Sequence, residues 1–327
     1  MKKEISLVYH CGGLGDFLTT FPAVYLWNKQ NPETRKILLG KPLYGQLGID
    51  FCLFDEVWDA ESVYFMPLYS ENNELPEYLK QKLSNVKDVM LFAKEDSNII
   101  EKFKKLNLRR FIFQKPFPDK RINITDYHLS IFDNINATKF IKNKLCFKTN
   151  ISIKNSLEEI NINFKKYAVI HPGSGSKKKN WPVKNFFDLS LLLKEIKIPS
   201  LWILGPAEEE MKLPSEIKTL KNISLSFLYY IISNSILYIG NDSGISHLAS
   251  LSKIPCVVLF GPSDPLIWAP KGENVFVINA KCIKNIFEQA RQEKILNEIC
   301  NKCEKSCIEN ITINEVYKAC LELLKIN

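Results

Sequence analysis

Residues 239–270 read IGNDSGISHLASLSKIPCVVLFGPSDPLIWAP, the pattern of a strand, a turn, a helix and a second strand. The first apolar run ends at Gly240-Asn241-Asp242, and Cys256–Phe260 resumes a buried strand. Ser243 is placed to cap the intervening helix. Because a helix start leaves amides unpaired, those of residues 243–246 are predicted to face an anion. The same residues also suit an ordinary capped helix.

A glycine- and serine-rich turn with three lysines follows another predicted strand, Tyr167–His171. Ser174 and Ser176 offer hydroxyl groups, and Lys179 closes the basic run ahead of a helix. Hydroxyls, amides and an ammonium group at such a turn suit a diphosphate, although a solvated basic loop has the same composition. The order Gly-Lys-Ser/Thr of a Walker A loop is absent.

Two carboxylates are predicted at the same kind of sheet edge. Glu208 follows the strand Ser200–Leu204, where it can accept hydrogen bonds from both ribose hydroxyls or stabilise a helix start. Asp242 is a candidate for ribose hydroxyls or for orienting His247. These residues favour a nucleotide site in the second half of the chain.

The N-terminal strand, Ser6–Cys11, leads into Gly12-Gly13-Leu14-Gly15-Asp16 and a helix that is predicted to reach Gln30. Gly13 and Gly15 allow the backbone to approach a ligand closely. Asp16 then lies at the carboxyl edge of a sheet, where open α/β sheets bind ligands, or else caps the helix. The GxGxxG fingerprint is absent, which disfavours a nicotinamide enzyme.

The composition predicts a folded α/β protein of two domains. The chain has 327 residues, 46% of them hydrophobic, and strands alternate with helices as in a parallel sheet. A polar change of composition places the boundary between domains 1–155 and 156–327. The formal charge of +8 favours anionic partners, but no nucleic-acid motif accompanies it. Without a signal peptide or a long apolar span, the chain is expected to be cytoplasmic.

Four stretches of the sequence together resemble glycosyltransferase family nine, the ADP-heptose lipopolysaccharide heptosyltransferases. They are GGLGDFLTTFPAV near the N-terminus, HPGSGSKKKNWP, ILGPAEEE, and the stretch quoted first. The resemblance covers the N-terminal motif and most of residues 167–270. Residues 40–150 carry no motif of the family.

The resemblance implies a GT-B fold, in which two Rossmann-like domains with parallel sheets face a central cleft. The N-terminal domain would bind the acceptor and the C-terminal domain the nucleotide sugar. The family inverts the anomeric centre, and Asp16 matches its general base. Ser174 and Lys179 match its diphosphate contacts and Glu208 its ribose contact. The full set that matches the nucleotide-sugar site is Ser174, Ser176, Lys179, Glu208, Asp242, Ser243, Gly244 and His247.

The resemblance also implies the partners. The donor would be ADP-heptose, and the acceptor would be Kdo or heptose on lipid A. The protein would be a monomer that associates peripherally with the inner membrane. No metal is expected, because Asp242-Ser243-Gly244 stands where an Asp-x-Asp motif would bind one. A UDP- or GDP-linked donor and a catalytically silent nucleotide-binding protein are the alternatives.

Two features depart from the family pattern or lie outside it. The turn before Asp16 lacks the family's basic residue, so His10 is either an acceptor contact or a core residue. Four cysteines near the C-terminus suit a metal centre, a disulfide or reduced thiols. These cysteines are Cys282, Cys300, Cys303 and Cys307.

Overall fold

The computed structural model describes residues 3–71, 74–132, 145–148, 166–211, 213–280 and 306–326. These residues form two compact units. The first contains the described residues up to 118 together with 126–132 and 145–148. The second contains residues 119–125 and the described residues from 166 onward. The predicted domain boundary at 155/156 lies outside the described residues and stays a prediction.

The first unit is built on a parallel sheet of five strands in the order β3-β2-β1-β4-β5. Its strands alternate with helices along the chain, as the sequence predicts. The strand order runs outward from β1 to β3 on one side and from β4 to β5 on the other, so the switch point of the sheet lies between β1 and β4. Doubly wound sheets bind ligands at this position. The strands are β1 Ile5–His10, β2 Arg35–Gly40, β3 Glu56–Asp59, β4 Val86–Phe92 and β5 Arg110–Gln114. The helices of this half are Leu14–Thr19, Phe21–Gln30, Pro42–Asp50, the 3₁₀ turn Val63–Leu68, Glu77–Leu83, Asn98–Lys104 and Ile124–Leu129.

The second unit repeats this design with six parallel strands in the order β11-β10-β9-β6-β7-β8. Its switch point lies between β6 and β9, where His171 is paired with Gly240. The strands are β6 Ala168–His171, β7 Ser200–Leu204, β8 Lys218–Lys221, β9 Leu237–Asn241, β10 Cys256–Phe260 and β11 Val275–Asn279. The helical segments are Lys177–Lys179, Val183–Glu195, Pro206–Glu208, Leu225–Ser233, Gly244–Ser250, Pro265–Trp268, Cys307–Asn310 and Ile313–Leu324.

The central strands of both sheets are buried throughout, as parallel strands covered on both faces require. In the second unit, the C-terminal helix Ile313–Leu324 packs on Val183–Glu195 and closes one face of the sheet. Trp181 and Trp202 are fully buried in the same core. No helix among the described residues is both long and apolar enough to cross a membrane.

The sequence prediction of a parallel α/β fold is confirmed, with three local differences. The single helix predicted after Asp16 is two helices that meet at Thr20. Pro22 lacks an amide hydrogen and cannot continue the first helix by bonding to Leu18. Strands β8 and β11 were not predicted, because edge strands are partly exposed and lack a continuous apolar run.

Candidate active site

An ion pair connects the three-lysine turn, Lys177–Lys179, to the loop that follows β9. Lys179 ends a 3₁₀ turn, and its Nζ lies 2.7 Å from Oδ2 of Asp242. The same Oδ2 accepts a hydrogen bond from the Ser263 hydroxyl. Asp242 is 7% exposed, so two partners in the protein balance a largely buried carboxylate. The two loops predicted from sequence to act together are therefore in direct contact.

Asn241, at the end of β9, is hydrogen-bonded to the turn that carries Lys179. No sequence motif predicts these hydrogen bonds. Its Nδ2 donates to the carbonyl of Pro172 at 2.7 Å, and its Oδ1 accepts from the amide of Trp181 at 3.0 Å. Asn241 is fully buried at the end of β9. Both ends of the lysine-bearing turn are thus fixed to the strand that precedes Asp242. Asn241 and Ser263 are the positioning residues that sequence reasoning missed.

The helix start after Asp242 has the cap that the sequence predicts. Ser243 is the cap residue of helix Gly244–Ser250, and its Oγ accepts a hydrogen bond from the amide of Ser246 at 3.4 Å. The Ser246 hydroxyl donates to the carbonyl of Asn241. The prediction that the Ser246 amide is unpaired was therefore wrong, because the cap already uses it. Ser243 and Gly244 remain the candidate amide donors toward an anion.

Ser174 has its hydrogen bonds within its own turn. Its Oγ lies 2.6 Å from Oδ1 of Asn180 and 2.8 Å from the carbonyl of Ser176. The Ser176 amide donates to the same Oγ at 3.3 Å. The turn is therefore ordered internally, and the Ser174 hydroxyl already has acceptors nearby. Ser176 itself is exposed.

Glu208 lies buried against the same turn, with 5% of its surface exposed. Its Oε2 accepts from the Gly205 amide at 2.9 Å and lies 3.8 Å from Nε2 of His171. Burial raises the pKa of Glu208, but the interaction with His171 and the amides of Gly205 and Glu208 outweighs it, so the net shift is downward. Gly173 allows this approach, since a Cβ there would lie 1.8 Å from Oε1 of Glu208.

His247 lies in helix Gly244–Ser250 and is 8% exposed. Burial lowers its pKa to about 4; the charge of Lys179 acts in the same direction, whereas Asp242 and a hydrogen bond to the Trp268 backbone oppose it. The imidazole is therefore neutral near pH 7. A neutral ring brings no positive charge to a ligand, and the predicted role of His247 in the nucleotide-sugar site stays a prediction.

In the first unit, Asp16 lies in the first turn of helix Leu14–Thr19. Its Oδ2 accepts a hydrogen bond from the Gly13 amide at 3.0 Å, so Asp16 does cap the helix. Its position after β1, at the switch point of the sheet, is also the position expected of a ligand-binding carboxylate. Gly15 lies in the same turn and is partly buried. The two interpretations of Asp16 are therefore compatible.

His10 is a core residue in the structure. It is 6% exposed at the end of β1, and its ring packs against Phe17 and Phe92 with centroid distances of 5.4 and 6.1 Å. A Cβ on Gly12 would lie 2.9 Å from the ring and 3.1 Å from Oδ2 of Asp16. A side chain at this position would therefore press on both the His10 ring and the Asp16 carboxylate.

The lowered pKa values of three buried histidines should make the free energy of unfolding depend on pH. Burial lowers the pKa of His10 to about 4, that of His128 to about 3 and that of His247 to about 4. Because the unfolded residues titrate near pH 6.5, the unfolded chain binds more protons below that value. The free energy of unfolding should fall as the pH drops from 6.5 toward 4, by on the order of 2 kcal/mol per histidine at pH 5.

Urea unfolding at pH 7 and pH 5 measures this fall. The variant His247→Gln should show a smaller decrease between the two pH values than the unaltered chain, because one titrating group is absent. Identical decreases in the two proteins would contradict the assignment of a depressed pKa to His247.

The cysteine prediction lies almost entirely outside the described residues. Of the four candidates, only Cys307 is described, and its side chain is partly buried. No group of three or more metal-binding side chains occurs in the part of the chain that the structure describes. The other three are Cys282, Cys300 and Cys303.

Two parallel sheets, each in the strand order of nucleotide-binding α/β proteins, define the GT-B fold class. The profile of glycosyltransferase family 9 (heptosyltransferase) matches residues 132–298, just over half of the 327 residues. The chain belongs to glycosyltransferase family 9.

Individual relatives agree with this assignment. Lipopolysaccharide heptosyltransferase 1 of Escherichia coli K12 is 28% identical over 137 residues, which cover 39% of this chain and 43% of that protein. The chain thus matches less than half the length of that relative. A family 9 glycosyltransferase from Veillonella parvula has the same fold, with a TM-score of 0.78, 18% identity, and coverage of 100% of this chain and 99% of that one. The E. coli ADP-heptose heptosyltransferase II gives a TM-score of 0.68 at 15% identity over 98% of both chains.

Proposed function

We propose that this protein transfers a heptose from ADP-heptose to a lipopolysaccharide core acceptor, with inversion at the anomeric carbon. The observation that carries the proposal is the ion pair of Lys179 with Asp242 at the switch point of the second sheet. It places a cation and a helix start where an open α/β sheet binds a nucleotide. The family and the ADP-heptose donor named for the E. coli relative favour this donor.

The transfer would begin with proton removal by Asp16. An acceptor hydroxyl oxygen attacks the anomeric carbon and gives its proton to the carboxylate, while the bond from that carbon to the diphosphate breaks. The Gly13 amide already donates to Oδ2 of Asp16 at 3.0 Å, which stabilises the charged form of the base. The carboxylate is partly exposed, so it can contact a substrate.

The departing nucleoside diphosphate gains negative charge, which the second unit would stabilise. Lys179 supplies an ammonium group that is 33% exposed and oriented by Asp242. The amides of Ser243 and Gly244 are the proposed backbone donors. Because the cation is held before the reaction, little reorganisation is needed as the charge develops. In this arrangement Asp242 acts on the diphosphate through Lys179.

Glu208 is the proposed partner of the ribose hydroxyls. Its downward pKa shift keeps it charged and therefore a strong acceptor. The Nδ1 atom of the neighbouring His171 is buried and has no hydrogen-bond partner among the described residues. A buried polar atom without a partner is costly, and a bound hydroxyl group or a water molecule would remove that cost.

The turn that follows β6 contains two glycines, Gly173 and Gly175, which provide a variant and its matched control. Gly173→Ala should weaken ADP binding by about 10- to 100-fold, because the new methyl group displaces the Glu208 carboxylate that would bind the ribose. Gly175→Ala is the control, since a Cβ at that glycine meets nothing within 4 Å. Isothermal titration calorimetry with ADP compares the two. Equal affinities would argue against a ribose contact at Glu208.

We propose that transfer needs no metal ion, because Lys179 and backbone amides supply the positive charge that a metal would otherwise provide. Transfer rates should be the same with and without EDTA, measured on protein whose metal content is known. Loss of activity in EDTA and its recovery with Mg²⁺ would contradict this proposal.

The acceptor and location are also part of the proposal. The formal charge of +8 suits a phosphorylated or carboxylated glycolipid such as Kdo or heptose on lipid A. We propose that the protein works as a monomer at the cytoplasmic face of the inner membrane. Vesicle sedimentation with and without anionic lipid measures the peripheral association.

Nucleotide selectivity tests the function directly. ADP, UDP, GDP and CDP are titrated against the full chain in a thermal-shift assay, in which ligand at about 100 times its Kd stabilises the folded state by ~2.7 kcal/mol. ADP should raise the melting temperature by a few degrees and the other nucleotides less. Asp242→Asn should lose the shift, whereas Asp188→Asn, which removes a surface ion pair with Lys184, should retain it.

Each outcome has a separate meaning. Selective stabilisation by UDP or GDP would keep the fold and reject heptose as the sugar. A response to ADP without any transfer to a lipid A acceptor would favour a nucleotide-binding protein that has lost its activity. No response to any nucleotide would reject the proposed donor site.

A further inference from the structure

Residues 119–125 pack with the second unit, although the strands on either side of them in sequence are β5 and β6. Two of their side chains bind the turn that follows β10. Arg121 Nε donates to Oδ2 of Asp264 at 2.5 Å. Asn123 Nδ2 donates to the carbonyl of Ala269 at 2.9 Å and contacts that of Ile267 at 3.3 Å. This short segment therefore holds both ends of residues 264–269.

Arg121 supplies the positive charge that pairs with the buried carboxylate of Asp264. The Asp264 side chain is 1% exposed, and a buried carboxylate without a partner is strongly unfavourable. Its Oδ1 accepts from the Leu266 amide at 3.0 Å and caps the helix Pro265–Trp268, while Oδ2 is left for Arg121. The pKa of Arg121 is raised, first by its hydrogen bond to Asp264, so the guanidinium group stays charged.

The other side of the same turn supports the nucleotide loop. Ser263, next to Asp264, donates to Oδ2 of Asp242. The ring of His247 hydrogen-bonds to the backbone of Trp268. Asp242, which precedes helix Gly244–Ser250, and His247, which lies within it, thus both contact the turn that Arg121 and Asn123 bind.

We propose that Arg121 and Asn123 are positioning residues, which set the affinity for the nucleotide by fixing the turn that orients Asp242 and His247. The inference rests on the proposed function for its ligand, ADP. Neither residue needs to touch the ligand, because their contacts end on Asp264 and on backbone carbonyls. The 119–125 segment is then a third sequence element of the donor site, beside the lysine turn and the Asp242 loop.

Calorimetry with ADP on the full chain tests the effect on binding. Arg121→Ala and Asn123→Ala should each weaken ADP by about 5- to 30-fold. The donor KM should rise similarly, with the acceptor KM unchanged. Arg121→Lys should recover part of the affinity, because an ammonium group can still pair with Asp264. Lys120→Ala is the matched control, since it removes an exposed positive charge from the same segment.

A double-mutant cycle separates positioning from general destabilisation. If Arg121 acts through Ser263, Arg121→Ala should weaken ADP binding much less in a Ser263→Ala background than in the unaltered chain. Full additivity of the two changes would overturn the proposal. A rise in the acceptor KM alone would instead make Arg121 an acceptor contact and would also overturn it.

A readout without nucleotide keeps this inference distinct from the proposed function. The chain has only 4 histidines, so protein labelled with ¹⁵N-histidine gives few side-chain signals, and His247→Gln assigns one of them. Arg121→Ala should shift the His247 ring signals, whereas Lys120→Ala should not. An unchanged His247 signal would overturn the positioning role. If the signal shifts but ADP does not bind the unaltered chain, the proposed donor fails and the structural link stands.

Discussion

Replacing Asp16 by asparagine should lower kcat by about 10²- to 10⁴-fold, the contribution usual for general acid–base catalysis. Asparagine can still accept the hydrogen bond of the Gly13 amide, so the helix start is retained. It cannot take a proton from an acceptor hydroxyl at neutral pH. The Kd for ADP should be unchanged, because Asp16 lies in the first unit and the proposed donor residues lie in the second.

Transfer assays and calorimetry on the same preparations measure both quantities. Glu77→Gln provides the control, because Glu77 is a carboxylate in the first turn of another helix of the first unit and is exposed to solvent. Turnover by the Asp16→Asn variant at the unaltered rate would show that Asp16 is only a helix cap. Loss of ADP binding in that variant would mean that the substitution damages more than the base.

Replacing Lys179 by methionine should have the second large effect, a decrease in kcat of about 10²- to 10³-fold, corresponding to ~2.7–4 kcal/mol for one preorganised donor. Methionine keeps the length of the side chain and removes the charge that would stabilise the departing diphosphate. It also leaves Asp242 with Ser263 as its remaining side-chain partner among the contacts described above. ADP binding should therefore weaken as well.

The neighbouring lysine gives the comparison that decides between two interpretations of the basic run. Lys177 lies in the same 3₁₀ turn and is exposed. If the three lysines form only a solvated basic loop, Lys177→Met and Lys179→Met should have equal, small effects on turnover. A large effect confined to Lys179→Met is the result expected of a residue oriented toward the ligand by Asp242.

The fold and the location of the loops could be predicted from the sequence because both follow from local patterns. Apolar runs such as Cys256–Phe260 are strands in the structure with the predicted bounds. Parallel strands bring their carboxyl ends to one edge, so the turns after β6 and β9 were expected at the same edge. The pairing of β6 with β9, which the sequence did not predict, makes these two turns neighbours. Ser243 was recognised as a cap from its place between a strand and a helix.

The partners of the site residues could not be predicted, because they are set by contacts between distant parts of the chain. Lys179 and Asp242 are 63 positions apart, and Arg121 and Asp264 are 143 positions apart. Asn241 looked like a turn residue, and only its two hydrogen bonds across the loop reveal its role. Sequence patterns indicate which turns lie at the carboxyl edge of a sheet. They do not indicate which side chains pair with one another there.

The grouping of residues 119–125 with the second unit bears on how the protein can be divided for study. A recombinant fragment beginning at residue 156 would lack Arg121 and Asn123, leaving the buried carboxylate of Asp264 without its cation. Two carbonyls of the adjacent turn would lose their donor as well. Donor binding by such a fragment would understate that of the intact chain unless a peptide carrying residues 119–125 were supplied with it.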